Sequence, residues 1–383
     1  MSKTVLGIER IDEFKEVFEG KRVGLITNPT GITSNFKSSI DVLREKTNLV
    51  GLFSPEHGVR GSLQAGVKLE TYVDELTGIT VYSLYGASKK PSKEIMDNVD
   101  IMSIDIQDCG SRYYTFIYTM AYCMMACAEY DKEFVVFDRP NPVNCKEVEG
   151  NLVDIEKYRS FVGYYPICQR HGMTMGELAQ MFNEEFGINC KLTVIPMQNY
   201  ERWMDFEDTG LHWVTPTPNL PTIATAYAYN TTCIFEGTNV SEGRGTTTPF
   251  ELFGAPWVVS ETLADELNAY NLPGVHFRPQ YYTPTFSKYE KQLCGGVFMH
   301  ITDRKVFKSI KTSWMLLYHM RTKYAEHFAF NKPYVEGRPR MIDYEAGDDT
   351  VIYNSIPLEE QWANLEKTTK DFKEMSKKYY IYK

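Results

Sequence analysis

Short apolar runs alternate with amphipathic segments over roughly the first half of the chain. The apolar runs are rich in Val, Ile, Leu and Phe, as in strands that are covered on both faces. They predict strands at residues 22–27, 49–53, 79–84, 100–105, 134–138 and 191–197. The amphipathic segments predict helices at residues 11–18, 38–46, 92–98, 112–130 and 174–186. Thr174-Met175-Gly176-Glu177 has the spacing of a capping box that opens the last of these helices, which predicts a structural role for Glu177. This alternation indicates an α/β fold with a mostly parallel sheet and helices on both of its faces.

The pattern changes near Asn230, where a Gly-rich segment is followed by two further helical patterns at residues 261–270 and 305–327. A chain of 383 residues is also long for one hydrophobic core. We therefore predict two domains, a catalytic domain over residues 1–230 and a smaller α/β domain over residues 231–383 that closes a cleft.

Polar, Gly and Pro residues gather directly after the predicted strands. Open α/β sheets bind their ligands outside the carboxyl ends of the strands, so one edge of the sheet is the predicted site. The segments concerned are residues 28–31, 54–58, 85–88, 105–112 and 138–142.

The most informative of these segments is Ser54-Pro55-Glu56-His57-Gly58. Its proline stops the hydrogen-bonded ladder and its glycine frees the backbone, which predicts a loop that presents Glu56 and His57. A carboxylate and an imidazole at a cleft favour acid/base chemistry.

Composition narrows the set of partners. The chain has 41 basic and 50 acidic residues, a formal net charge of −9, and no Lys/Arg stripe, so neither nucleic acid nor an anionic membrane is an expected partner. The longest apolar stretch, residues 113–128, is too short to span a bilayer and predicts a buried helix without membrane insertion. Eight cysteines at irregular spacings predict reduced, partly buried thiols.

The amino terminus lacks the apolar core of a signal peptide. As the chain stands, a cytoplasmic location is expected. The alternative is export, if a signal segment has been removed.

No cofactor is expected. The Gly-rich residues 236–245 contain neither the dinucleotide nor the P-loop fingerprint, and His57, His171, Asp105 and Asp108 lack a recognised metal-ligand spacing. Glu236, Glu242 and Arg244 suit a polar ligand that carries an acid group. The alternative is an ordinary turn with an exposed ion pair.

Four acids, Glu56, Asp105, Asp108 and Asp138, fall on the predicted edge of the sheet. Two acids in one cleft can be pushed to different pKa values, one protonated and one ionised, as glycoside hydrolysis requires. Individually, each aspartate has a structural alternative: Asp138 as a turn cap paired with Arg139, and Asp105 and Asp108 as supports of their loop.

The chain resembles the exo-β-N-acetylmuramidases, glycoside hydrolase family 171, formerly a domain of unknown function. The resemblance rests on five motifs in matching order: SPEHG at 54–58, DIQDCGSRYYT at 105–115, DRPNP at 138–142, RHGMT at 170–174 and SEGRGT at 241–246. It implies a Rossmann-like amino-terminal domain, a smaller carboxy-terminal domain, and exolytic release of N-acetylmuramic acid from the non-reducing end of peptidoglycan fragments (MurNAc-GlcNAc saccharides).

The resemblance also places the family's catalytic glutamate on Glu56, for which we predict the role of general acid. Candidates for the second catalytic group are His57, Asp105, Asp138 and Glu242. We predict substrate contacts from the following residues: Arg112, Arg139, His171, Glu236, Glu242 and Arg244. Arg244 is the first choice and Arg112 the second for binding the lactyl carboxylate.

Two other functions are compatible with the sequence. One is a binding protein that captures muropeptides without cleaving them, and the other is a metal-assisted hydrolase of a different polar substrate. The stereochemical course, retaining, inverting or substrate-assisted, and the oligomeric state are left open.

Overall fold

The computed structural model describes residues 3–55, 58–61, 70–84, 89–353 and 357–383. Its amino-terminal region is built on a seven-stranded sheet. The strands are β1 (Arg22–Thr27), β2 (Asn48–Ser54), β3 (Tyr72–Val73), β4 (Thr80–Ser83), β5 (Ile101–Asp105), β6 (Glu133–Phe137) and β7 (Lys191–Ile195), in the order β3-β4-β2-β1-β5-β6-β7. All neighbouring strands are parallel except the pair β3–β4. Without the short β3, this is the doubly wound Rossmann order, which confirms the predicted fold class.

Both faces of this sheet are buried, which explains why its strands are continuous apolar runs. In β1, Val23 and Leu25 pack into one core cluster and Ile26 packs into another, because successive side chains of a strand point to opposite faces. The covering helices are α1 (Lys15–Phe18), α2 (Ser39–Lys46), α3 (Lys93–Met96), α4 (Phe116–Glu129), α5 (Ile155–Tyr158) and α6 (Met175–Glu184).

Three predicted helices differ from the structure at their amino-terminal ends. The one predicted over residues 305–327 begins only at Ser309. The first helical segment begins as a 3-10 helix at Gly7–Phe14 and continues into α1. The helix predicted from residue 112 begins only at Phe116, because the preceding residues form a loop in which Gly110 has a φ of 75°. This loop follows β5, so the loop at the predicted site is longer than the sequence indicates.

The carboxy-terminal region contains a three-stranded antiparallel sheet in the order β8-β10-β9. Its strands are β8 (Leu252–Ala255), β9 (Val275–Tyr282) and β10 (Cys294–Ile301). Its helices are α7 (Ile223–Thr232), α8 (Ser260–Asn268), α9 (Ser309–Lys323), α10 (Met341–Ala346), α11 (Thr350–Tyr353) and α12 (Leu358–Ser376). Short 3-10 helices occur at Phe206–Thr209, Cys233–Gly237 and Lys377–Tyr379. The second, smaller α/β region is thus present.

The last residues of the chain return to the first sheet. The Tyr382 hydroxyl donates to Asp138 at 2.7 Å, and the backbone N–H of Arg202 donates to the carbonyl of Lys383 at 2.8 Å. Asn230, near which the domain boundary is expected, lies inside α7. The exact boundary stays a prediction.

Two smaller predictions concern the thiols and the longest apolar helix. All eight cysteines are free and buried. Helix α4, which contains most of the longest apolar stretch, is almost entirely buried. Over the parts of the chain that are described, no helix has both the length and the apolar character needed to cross a bilayer.

Candidate functional site

The carboxyl ends of β1 and β5 form the point at which the strand order reverses. The chain proceeds from β1 outward to β2 and β4, then returns to place β5 on the other side of β1. Open α/β sheets bind ligands in the crevice at such a point. Strand β2 ends beside β1, and its last described neighbour, Pro55, is buried at this same edge. Glu56 and His57 follow directly and lie outside the described residues.

Asp105, the last residue of β5, is bound on both carboxylate oxygens. Arg139 donates to it twice, from Nε to Oδ1 at 2.5 Å and from Nη2 to Oδ2 at 2.9 Å, and the Ser39 hydroxyl also donates to Oδ2. Arg139 donates further to the carbonyl of Ile32 at 2.6 Å. Both members of the pair are buried. The pair therefore lies at the switch point, and the carboxylate of Asp105 has little hydrogen-bonding capacity left for a ligand.

Asp138, the residue after β6, faces a different set of partners. It accepts from the hydroxyls of Thr174 and Tyr382, each at 2.7 Å, and from the backbone N–H of Gly176 at 2.8 Å. Burial raises the pKa of this carboxyl to about 6, although these hydrogen bonds favour its charged form. Asp138 thus ties β6 to the start of α6 and to the end of the chain. Its link to the Asp105–Arg139 pair is the backbone N–H of Arg139, which donates to Asp138 at 3.0 Å.

The same start of α6 confirms the predicted capping box. The backbone N–H of Glu177 donates to the Thr174 hydroxyl, and a carboxylate oxygen of Glu177 accepts from the backbone N–H of Thr174. Glu177 also pairs with Arg202 and is fully buried. It has the structural role that the sequence predicts.

Asp108 and His171 form a buried pair. The Met173 backbone N–H donates to His171 Nδ1, so the neutral ring carries its proton on Nε2, which faces Asp108 Oδ2 at 3.2 Å. Asp108 Oδ2 also accepts from the backbone N–H of Gly110 at 2.8 Å, while Oδ1 is buried without a partner. Both ring nitrogens of His171 are thereby engaged in holding the loop after β5.

Arg112, the second choice for the lactyl carboxylate, is fully buried. Its guanidinium donates to the carbonyls of Asn151 at 3.0 Å, Ile167 at 3.2 Å and Glu345 at 2.6 Å. These donors are spent on backbone oxygens of both regions of the chain. Arg112 therefore joins the loop after β5 to α10.

Next to Arg112, the loop after β5 meets the second region through aromatic rings. The ring of Tyr114 packs edge-on against Tyr229 at 5.9 Å, and Tyr229 packs against Phe250 at 4.8 Å. The guanidinium carbon of Arg244 lies 5.0 Å from the centre of the Phe250 ring. The ionisable residues around this junction, which we call the junction cluster, are Cys233, Glu236, Glu242, Arg244, Lys288 and Glu345.

Arg244 is the centre of the ion pairs in this cluster. It contacts one carboxylate oxygen of Glu236 and, through Nε at 3.2 Å, one of Glu242, whose other oxygen accepts from Lys288 at 2.9 Å. Burial opposes its charge, yet the two glutamates raise the pKa of Arg244 above its usual value. Glu236 and Arg244 expose 22% and 23% of their side chains, whereas Glu242 exposes 3%. The structure thus brings together the three residues that the sequence predicts for a ligand with an acid group.

The glycines of this segment are required by its geometry. Gly243 and Gly245 have φ values of 77° and 82°, which disfavour other residues. A Cβ atom at Gly243 would lie 2.4 Å from the carbonyl oxygen of Leu252. The tight turn holds Arg244 between its two carboxylates.

Glu345, on α10, is one of three residues of the cluster that sequence reasoning missed, together with Cys233 and Lys288. It is fully buried, its Oε1 lies 4.0 Å from the Cys233 sulfur, and its Oε2 has no hydrogen-bond partner. Burial, followed by the charge of Glu236, raises the pKa of Glu345 well above its usual range. No signal in the sequence links it to position 236, because Met341–Ala346 has the composition of an ordinary short helix.

Ligating atoms of Cys233, Glu236 and Glu345 lie within 4.8 Å of one another, the spacing of a metal site. Their chemistry fits a metal poorly. Arg244 and Lys288 already place two cations in the same cluster, where they pair with Glu236 and Glu242. Glu236, one of the three ligating residues, is thereby already engaged by a cation.

Comparisons with known proteins match one family over nearly the whole chain. A family model described as exo-β-N-acetylmuramidase NamZ, N-terminal, matches residues 23–224, and one described as exo-β-N-acetylmuramidase NamZ, C-terminal, matches residues 227–382. A curated relative, peptidoglycan β-N-acetylmuramidase NamZ of Bacillus subtilis (strain 168), is 47% identical over 386 residues, which cover 99% of this chain and 92% of the relative.

Two crystal structures of DUF1343 family proteins from Bacteroides fragilis NCTC 9343 have the same fold. One matches with a TM-score of 0.90 at 38% identity and the other with a TM-score of 0.79 at 32% identity. Each match covers 100% of this chain and 99% of the solved chain.

Proposed function

Since the chain belongs to the exo-β-N-acetylmuramidase family, we propose that it releases N-acetylmuramic acid from the non-reducing end of peptidoglycan fragments such as MurNAc-GlcNAc. Family membership supplies the reaction. The structural observation that best supports this sugar is Arg244, a charged guanidinium that is accessible to solvent at the junction of the two regions. N-acetylmuramic acid differs from N-acetylglucosamine by a 3-O-lactyl group, whose carboxylate suits a guanidinium.

In this proposal Glu56 is the general acid. It protonates the glycosidic oxygen as the bond breaks and as positive charge of the oxocarbenium type develops on the muramic acid ring. Its place is supported by Pro55, the residue before it, which is buried at the carboxyl edge of the sheet beside the switch point. The cleft must then bring the glycosidic bond to Glu56 and the lactyl group to Arg244.

The contacts of the other carboxylates separate the candidates for the second catalytic group. Both oxygens of Asp105 are occupied by Arg139 and Ser39, and Asp138 holds α6 and Tyr382. A carboxylate that is fully used in this way must break fold contacts before it can act on a substrate. Arg244 and Lys288 likewise occupy both oxygens of Glu242. All three carboxylates are therefore disfavoured, which leaves His57 as the favoured candidate.

The test is the product released by purified protein from N-acetylmuramyl-β-1,4-N-acetylglucosamine, followed by chromatography and mass spectrometry. We expect equimolar free N-acetylmuramic acid and N-acetylglucosamine, with no loss of activity in EDTA. Tight binding without any release would indicate the muropeptide-binding protein, and loss of activity on chelation would indicate metal-assisted hydrolysis.

Glu56→Gln tests the catalytic assignment. The amide keeps the volume of the side chain but cannot deliver a proton, so kcat should fall by about a hundredfold to ten-thousandfold with KM little changed. An activated aryl leaving group needs less protonation and should rescue part of the loss. Glu45→Gln, a change at an exposed glutamate, is the matched control. Turnover of the disaccharide by folded Glu56→Gln protein at the wild-type rate would contradict the assignment.

A further inference from the structure

Glu345 is a buried carboxyl group without a cationic partner. None of the ion pairs found over the described ranges of the chain includes its side chain, and one of its oxygens has no hydrogen-bond partner. An isolated ionised carboxylate is too costly to bury, and such a group takes up a proton instead. Glu345 is therefore a neutral carboxylic acid, which has an O–H to donate. The raised pKa of Glu345 agrees with this.

The acceptor closest to hand is Glu236. A carboxylate oxygen of Glu236 lies within 4.8 Å of one of Glu345. Glu236 is partly exposed and contacts Arg244, whereas Glu345 has no exposed surface. Glu236 therefore lies next to both a buried acid and a partly exposed guanidinium.

A ligand carboxylate that binds Arg244 through a pair of donors that includes Nη2 competes with Glu236, which contacts Nη2. Glu236 would then lose its cation while a further negative charge enters the cluster. Arg244 and Lys288 are balanced by Glu236 and Glu242 before the ligand arrives. The added charge is tolerable only if Glu345 stays neutral and Glu236 gains a new donor.

The ionisable groups that surround Glu345 come from several elements. Those facing it or belonging to the same cluster are Arg112, Tyr113, Tyr229, Cys233, Glu236, Glu242, Arg244, Lys288 and Tyr334. Arg112 is directed at the backbone carbonyl of Glu345 and not at its carboxyl group. Burial raises the pKa values of Tyr113, Tyr229 and Cys233, so they remain neutral, and the two cations are already paired with Glu236 and Glu242.

We propose that Glu345 is a positioning residue that, as a neutral acid, donates a hydrogen bond to Glu236 when the lactyl carboxylate of the substrate takes over Arg244. Glu345 thereby sets the preference for muramic acid over glucosamine without touching the sugar. This inference rests on the proposed function, because it takes the ligand to be an N-acetylmuramic acid residue. It assigns a role to a residue that lies outside all five sequence motifs.

The test compares Glu345→Gln with Glu345→Leu in binding N-acetylmuramic acid and N-acetylglucosamine by calorimetry. The amide of Gln is neutral and can donate to Glu236, so the preference for N-acetylmuramic acid should stay within about threefold of wild type. Leu cannot donate, so the preference should fall by about tenfold or more. If ionisation of Glu345 at alkaline pH weakens the binding of N-acetylmuramic acid by the wild type, Glu345→Gln should keep its affinity there, because Gln does not titrate. Glu374→Gln, at an exposed glutamate, is the control.

Equal loss of preference in both Glu345 variants would overturn the proposal, as would parallel weakening of wild type and Glu345→Gln with rising pH. If Glu345→Leu fails to fold, the pH series of Glu345→Gln alone decides. An infrared difference spectrum of wild type minus Glu345→Gln should also contain the carbonyl band of a protonated acid at neutral pH, and its absence would contradict a neutral Glu345. A wild-type protein that cleaves no muramic acid glycoside would refute the proposed function. The binding measurements test the role of Glu345 separately, so the two failures can be told apart.

Discussion

Asp105 and Asp138 at the edge of the large sheet differ from the carboxylates of the junction cluster in how their hydrogen bonds are used. Asp105 has both oxygens occupied by Arg139 and Ser39, and Asp138 accepts from four donors. At the junction, Arg244 is shared between Glu236 and Glu242, and one oxygen of Glu345 has no partner.

This difference separates carboxylates that hold the fold from carboxylates that can exchange partners. A buried polar atom without a partner is uncommon in a native protein and calls for an explanation. A saturated ion pair needs none, because its contacts already offset the cost of burial. The comparison therefore assigns Asp105 and Asp138 to the fold and supports the proposal that the junction cluster binds the ligand.

We expect the largest effect from removing one member of the saturated Asp105–Arg139 pair. Arg139→Met leaves Asp105 buried without its cation, and Asp105→Asn leaves Arg139 without its anion. Each should lower the free energy of unfolding by about 3–5 kcal/mol, measured by urea denaturation. Lys93→Gln removes one partner of an exposed pair with Asp97 and should have hardly any effect.

A measurement of turnover can contradict the structural role of the Asp105–Arg139 pair. Asp105→Asn protein that unfolds like wild type but has lost kcat would place Asp105 in the chemistry and not in the fold. The double variant Asp105→Asn/Arg139→Met should recover part of the stability lost by either single change, because no unpaired charge remains.

The role of Asp138 can be tested by the pH dependence of the unfolding free energy. Folding raises its pKa from 3.8 to about 6, so the protonated form contributes stability below pH 3.8 that is lost as the pH rises through about 6. The loss amounts to roughly 2–3 kcal/mol. Asp138→Asn does not titrate, so the difference in unfolding free energy, wild type minus variant, should fall by this amount from about pH 4 to about pH 7. A difference that is independent of pH would contradict the assigned burial of this carboxyl.

The sequence predicts the sheet well because parallel strands that are buried on both faces must be apolar throughout. The prediction for residues 22–27 coincides with β1, and the capping box at Thr174 marks the start of α6. Gathering of polar residues after the strands also locates the edge of the sheet at which the switch point lies.

Partners distant in sequence could not be predicted. The sequence suggests that Arg139 pairs with its neighbour Asp138, whereas the structure pairs it with Asp105, 34 positions earlier. Asp138 instead binds Tyr382, 244 positions later. Glu345 meets Glu236 only because α10 folds back against the 3-10 helix at Cys233–Gly237, a contact that depends on tertiary packing and leaves no local pattern.

The smallest expected effect is also the most specific one, a change of preference at the junction. Arg244→Lys keeps the charge but loses the planar pair of donors that suits a carboxylate. We expect kcat/KM for an aryl N-acetylmuramic acid glycoside to fall by about ten- to hundredfold, the equivalent of about 1.5–3 kcal/mol. Arg278→Lys, at an exposed arginine of β9, is the matched control.

The most direct test of the division between the two regions is the ratio of kcat/KM for aryl N-acetylmuramic acid and N-acetylglucosamine glycosides, measured on wild type and on Arg244→Lys. If the junction cluster binds the lactyl carboxylate, the ratio should fall about ten- to hundredfold while the already low activity on the glucosamine glycoside stays nearly constant. Equal losses on both glycosides would show that Arg244 supports the fold or the chemistry in general, and would contradict the assignment of the junction cluster to the ligand.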